Sequence, residues 1–190
     1  AIDIEGSIGN ALGARMSGGA ITVQGDAGDD VGSAMSGGSI VVSGTVGDRA
    51  GGAVQGASKG MTGGEIIVRG GAGREAGARM RRGTLYCASA GESAGVGMIA
   101  GNIIVAGAIG EGVGAGNKRG SIVAFGSVRI PQTYAYACTY RPPHLSLLLL
   151  SLRRRFGIPV SDAQLHGLFK RYSGDLAEIG KGEILEWQAT

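Results

Sequence analysis

Two serines stand in the pattern of a hydrolytic nucleophile. Gly56-Ala-Ser-Lys-Gly60 and Gly91-Glu-Ser-Ala-Gly95 both read G-x-S-x-G. That motif works when a strand runs into the serine, a helix leaves it, and an acid and a histidine follow downstream. Neither match leads into a helical pattern, and a chain with 39 glycines among 190 residues produces such matches by chance. Three G-x-G-x-x-A matches, beginning at Gly71, Gly95 and Gly110, raise dinucleotide binding. None opens a helix inside a βαβ unit, so that chemistry is not expected either. His144 and His166 lie in different elements of the tail, away from any Cys/Asp/Glu group with ligand spacing, and no metal site is expected. Cys87 and Cys138 form no C-x-x-C pair and read as reduced thiols, with Cys87 a buried and inert core residue. No catalytic residue is assigned.

Charge at fixed spacing is the stronger signal. Asn10, Asp29, Asp48, Arg74, Glu92 and Glu111 each follow a glycine at the same position of a repeat. Stacked, they make a mostly acidic column interrupted by one arginine. Like charges one coil apart repel by roughly 0.2–1 kcal/mol unless something compensates them. On another edge Arg15 and Arg79 share a column, with Lys59, Arg81, Arg82, Lys118 and Arg119 within a few residues of it. A solvated turn accounts for any one of these residues. Taken together they make two ridges. Asp29, Asp48, Glu92 and Glu111 are candidates for docking a partner. The seven basic residues are candidates for an anionic ligand or a second partner.

A repeat must position both ridges. Met35–Gly47 (MSGGSIVVSGTVG) recurs as Met16–Gly28, Met61–Gly73 and Met98–Gly110, with worn copies at Met80–Gly91 and Arg119–Gly126. The second glycine of each pair falls at Gly19, Gly38, Gly64, Gly83, Gly101 and Gly120, a period of 18–19 residues broken by one step of 26. The insertion in that step lies around Gly51–Gly60. Each unit holds one short strand, such as Ile21–Val23 or Ile66–Val68. Alternation along a strand puts its two outer residues on one face. Nineteen residues cannot bury a core alone, but stacked coils can. The fold expected is all-β, a parallel β-helix of about 19-residue coils over residues 1–126.

Of the 39 glycines, only 5 follow Ser127, which marks a boundary. Residues 127–190 read as a capping and docking segment with two helices. Ser127–Tyr140 reads as a strand followed by a Tyr-rich extended piece. His144–Phe156 reads as a buried helix stopped at Gly157. Ser161–Gln164 is a capping box. Leu165, Leu168, Phe169 and Tyr172 behind it follow helical spacing and predict a second helix ending at Gly174. Glu183–Trp187 reads as a closing strand. The N-terminal coil shows no cap, so a partner or preceding sequence is expected over it.

Net charge is +3 and aromatic residues are 5%, too little of either for nucleic acid. Leu145–Leu152 is far shorter than the roughly 20 residues that span a bilayer, no secretory signal is visible, and a cytoplasmic protein is expected.

The repeat M-x-G-G-x-I-x-V-x-G-x-x-G resembles the GXGXG domain that the third subunit of formylmethanofuran dehydrogenase shares with the C-terminus of the glutamate synthase large subunit. Tyr140-Arg-Pro-Pro143, Phe169-Lys-Arg-Tyr-Ser-Gly-Asp-Leu176 and Gly180-Lys-Gly-Glu-Ile-Leu185 resemble the close of the former family. That resemblance implies a right-handed β-helix acting as a non-catalytic scaffold. Two complexes use such a scaffold. One is the bacterial formyltransferase/hydrolase complex. It moves formyl from tetrahydromethanopterin to a methanofuran-type coenzyme and releases formate. The partners implied there are three: an amidohydrolase-like first subunit, a second subunit of its own type, and a formyltransferase as the fourth. The other complex is the tungsten or molybdenum formylmethanofuran dehydrogenase. Arg outnumbers Lys 14 to 4, a composition that leans to a GC-rich bacterium and the first complex. This chain is expected to hold no cofactor of its own. The glutamate-rich arm of the furan coenzyme is the anionic ligand the resemblance suggests for the basic ridge. Two further readings are an amidotransferase-type spacer domain and a free-standing polyanion-binding module.

Overall fold

The structure, a computed structural model, describes residues 1–189. Seven coils each give one strand: β1 (Ile2–Ile4), β2 (Ala20–Val23), β3 (Ser39–Val42), β4 (Thr62–Ala72), β5 (Arg82–Ala90), β6 (Asn102–Val105) and β7 (Ser121–Ala124). They pair in parallel and in chain order. The register runs Ile2, Ile21, Ile40, Ile66, Leu85, Ile103 and Ile122, the column the repeat predicts. From Ile40 onward every member is fully buried. Removing each such side chain from water stabilises the fold by roughly 1.5–3 kcal/mol. Val23, Val42, Val68, Cys87, Val105 and Ala124 form the second column, and Met35, Met61, Met80 and Met98 fill the corner. Burial pushes the Cys87 thiol up to about 12, so it stays protonated. Cys138 is exposed.

The corners explain the glycines. At each corner the backbone alternates into the left-handed region, as at Glu75 (φ 57°), Gly77 (φ 72°) and Arg79 (φ 55°). The alternation aims successive N–H groups at opposite neighbours. Glu75 donates to the Glu92 carbonyl, one coil on, and Gly77 donates to the Ala50 carbonyl, one coil back. Gly77 has a second constraint. A Cβ there would fall 2.5 Å from Ile103 Cδ1.

The tail does more than close the end. It comprises β8 (Ala135–Tyr140), α1 (Pro143–Phe156), α2 (Asp162–Leu165), β9 (Leu168–Gly174) and β10 (Gly182–Gln188). Strand β10 pairs in parallel with β7, with Ile184 opposite Ile122, so it acts as one more coil strand. Strands β9 and β8 then extend the sheet in antiparallel fashion. Helix α1 crosses the outer sheet face. Its Leu145, Leu149 and Leu152 pack with Ile67, Tyr86, Ile104 and Val123, the middle residues of β4–β7, in a second core. Tyr134 enters the first core at the end of the last coil and donates its hydroxyl to the Gly114 carbonyl at 2.9 Å. Burial pushes its phenol up to about 12.

Helix α1 forms as expected, and Gly157 ends it at φ 63° with its N–H on the Arg153 carbonyl. The second helix does not. The capping box is made in full, but the helix stops after one turn at Leu165. Leu168, Phe169 and Tyr172 lie on strand β9 instead. The reason is tertiary. Strand β9 is sandwiched between β8 and β10, which take up its backbone groups on both edges, and this overrides a local pattern that fits either period. Gly167 sits tight against Trp187 and follows the helical turn. Phe169 then faces the outer core and Tyr172 the inner one. Gly174 ends a strand rather than a helix. Residues 127–134 form no strand. The tail's first strand begins at Ala135.

Candidate functional site

The two serines of the hydrolase pattern are separated in the fold. Ser58 lies in the exposed 51–60 insertion and Ser93 at a left-handed corner (φ 58°), with no helix after either. Both histidines are exposed on the tail. Among the described residues no group of three or more His, Cys, Asp or Glu side chains is placed to hold a metal ion, and no helix is long and apolar enough to cross a membrane.

The acidic column has a definite geometry. Asn10 Oδ1 accepts from the Asp29 N–H at 2.8 Å, Asp29 Oδ1 from the Asp48 N–H at 2.8 Å, and Asp48 Oδ1 from the Arg74 N–H at 2.8 Å. Each side chain therefore stitches its coil to the next. The expected repulsion is compensated by two arginines. Arg74 sets its guanidinium on Asp48 Oδ2 at 3.0 Å. Arg49 forks onto both Asp30 oxygens at 3.0 and 2.8 Å and lies 3.7 Å from Asp29. The Arg74 N–H holds the Asp48 carboxyl below its usual range, and the Arg49 guanidinium does the same for Asp30. A parallel stitch runs through Asp26, whose carboxylate takes the Thr45 N–H and hydroxyl. Further along, the ladder ends. Glu92 is exposed, and Glu111 pairs with Arg129 at 2.7 Å on an open surface.

The basic residues divide into three groups. Arg15 stands alone at a corner (φ 59°), three coils from Arg79, or about 14 Å at 4.8 Å per coil. Arg79 donates to the Ala57 carbonyl at 3.2 Å and props the insertion that carries Lys59. Arg81, Arg82, Lys118 and Arg119 are all exposed on one sheet edge, and Lys118 lies 3.8 Å from Glu178. The strand register carries this edge into the tail. Arg82, Ala100, Arg119 and Lys181 occupy one position in successive coils. The sequence reading missed Lys181. The signal was there: Lys181-Gly-Glu-Ile-Leu185 matches Arg119-Gly-Ser-Ile-Val123 in residue type, apart from Glu in place of Ser.

The largest depression, about 510 Å³, lies between the insertion and the first coils. Ala11, Ala14, Ser33 and Val54 line it, with the Arg49–Asp30 ion pair beside them. It holds binding chemistry only, since its one carboxylate and one guanidinium are committed to each other.

Comparison with known proteins bears on this architecture directly. The GXGXG motif model matches residues 1–132, the coils and the start of the tail. Among solved structures, the chain is similar to one in the X-ray crystal structure of the formyltransferase/hydrolase complex (FhcABCD) from Methylorubrum extorquens in complex with methylofuran. The TM-score is 0.89 at 40% identity, over 99% of this chain and 70% of that one. No curated protein matches. With its repeat matched over two thirds of its length and nearly its whole fold shared with that relative, the chain belongs to the GXGXG-motif family.

Proposed function

We propose that this chain is the non-catalytic scaffold of a formyltransferase/hydrolase complex. Such a complex passes formyl from formyl-tetrahydromethanopterin to a methanofuran-type coenzyme in the cytoplasm and releases formate. The carrying observation is the likeness over 99% of the chain, tail included, to a chain of FhcABCD. The absence of any assembled metal group among the described residues, and the scattering of the candidate nucleophiles and bases, fit a scaffold with the chemistry left to its neighbours. A solenoid suits that task. Its coils contact only their neighbours, so it is a stiff rod with long charged edges.

In this reading the cations Arg15, Lys59, Arg79, Arg81, Arg82, Lys118 and Arg119 face the anionic arm of the coenzyme or an acidic partner surface. Glu92 and Glu111 are placed to dock a partner. Asp29 and Asp48 act mainly within the stack, each carboxylate spending one oxygen on the next coil. Reconstitution tests the reading. The catalytic subunits combined with this chain should hydrolyse the formyl coenzyme, this chain alone should not, and omitting it should abolish assembly. Full activity of the catalytic subunits without this chain would refute the scaffold role.

A further inference from the structure

The turn at residues 175–180 joins β9 to β10 beside the last coil. Many turns of this length are mobile, but this one is anchored from inside. Asp175 is 5% exposed, and its carboxylate accepts the Gly116 and Ala177 N–H groups, both at 2.9 Å. The Asp175 N–H reaches the Asn117 carbonyl, and the Leu176 N–H reaches the Thr133 carbonyl. Glu178 and Gly180 both donate back to the Asp175 carbonyl. The fixed backbone holds two large apolar side chains out in solvent, Leu176 at 59% and Ile179 at 48% exposed. Beside them runs the basic column that ends in Arg119 and Lys181, with Arg82 further along the same edge. Along that column the first three coils place Gly18, Gly37 and Gly63. The charge is therefore confined to the end that carries the turn.

We infer that the 175–180 turn is a docking site for an acidic protein surface, with Leu176 and Ile179 as its apolar anchors and Arg119 and Lys181 as its charged rim. This rests on the proposed membership in a multi-subunit complex and names the face that one partner meets. Charge complementarity selects the partner. Two pre-ordered apolar side chains lose little entropy on binding, and they suit the centre of an interface whose rim is charged. A flexible polyanion would use the cations and leave the leucine and isoleucine wet.

The test uses the complex as it assembles on the full-length tagged chain, measured by native mass spectrometry. The double variant Leu176→Ser/Ile179→Ser should lose one partner, weakened by about tenfold or more, as for buried anchors. Arg119→Glu/Lys181→Glu should lose the same partner. Leu147→Ser, which alters a leucine 70% exposed on α1, is the control and should retain every partner. Unchanged melting temperatures would show that the variants fold. A complete complex from the serine double variant overturns the docking site while leaving the complex itself standing. Sensitivity to the charge variants alone overturns it too, in favour of a polyanion. If the unaltered chain brings down no partner, both this site and the proposed function fall.

Discussion

The first three coils and the last four carry the same repeat but are held by different forces. In β1–β3 the outward middle residues are Asp3, Thr22 and Val41, none of them fully buried. In β4–β7 they are Ile67, Tyr86, Ile104 and Val123, all buried under the tail. The first part is stitched by the Asn10–Asp29–Asp48 ladder and by Asp26. The second part is a three-layer sandwich. Charge follows the same division: residues 1–48 hold six acids and one arginine, while the basic edge lies in the later coils. One backbone repeat can thus be stabilised by side-chain hydrogen bonds at one end and by a second hydrophobic core at the other. The end with the second core is also the one with exposed cations to offer a partner.

One substitution placed on both sides of that divide should separate them most. Ile104→Asp puts a charge into the second core and should unfold the domain or cost more than about 4 kcal/mol. Thr22→Asp, in the same column, should cost under about 1 kcal/mol, the scale of a like-charge neighbour at Asp3. Equal losses in urea denaturation would erase the distinction. Leu149→Ala, wholly within the second layer, should cost about 2–5 kcal/mol by the same measurement. Gly77→Ala tests the corner itself. The left-handed φ and the Ile103 Cδ1 contact should cost about 1–3 kcal/mol, and a thermal melt within error of the parent would contradict the corner account. Asp29→Ala removes one rung of the ladder and should cost about 1 kcal/mol, read best as faster amide exchange in β2 and β3.

Acid should open the two ends in order. Asp26, Asp30 and Asp48 have carboxyls held below the ordinary range by the Thr45 N–H, the Arg49 guanidinium and the Arg74 N–H. A depressed folded pKa means stabilisation that is complete above the unfolded value, about 3.9, and lost as pH falls through the folded value. Coils 1–3 should therefore lose exchange protection first below about pH 4. At Asp175 burial works against ionisation, but the Gly116 and Ala177 N–H groups hold its carboxyl low, so the 175–180 turn should loosen in the same range. The second core under α1 is built from apolar side chains and has no such dependence. Simultaneous loss at both ends would count against separate stabilisation.

The coils were legible because their signal is redundant. Repeated copies of one pattern fix strand, register and inward face at once, and the isoleucine column appears residue for residue. The tail carries no repetition to average over. There the spacing of Leu165, Leu168, Phe169 and Tyr172 matches a helix, while the fold uses the last three on a strand clasped from both sides. The site was partly legible. The positions in both ridges could be read by counting from the glycines. The function of the Asp29 and Asp48 carboxylates could not, because it depends on a backbone N–H one coil away. Lys181 was hidden by the assumption that the repeat ends before the tail.

The most direct measurement is to purify the native assembly through a tag on this chain and to identify its proteins and metals by mass spectrometry. The account predicts amidohydrolase-like and formyltransferase subunits in fixed proportion, without tungsten or molybdenum. A molybdopterin protein with iron–sulfur partners, or a lone monomer, would contradict it.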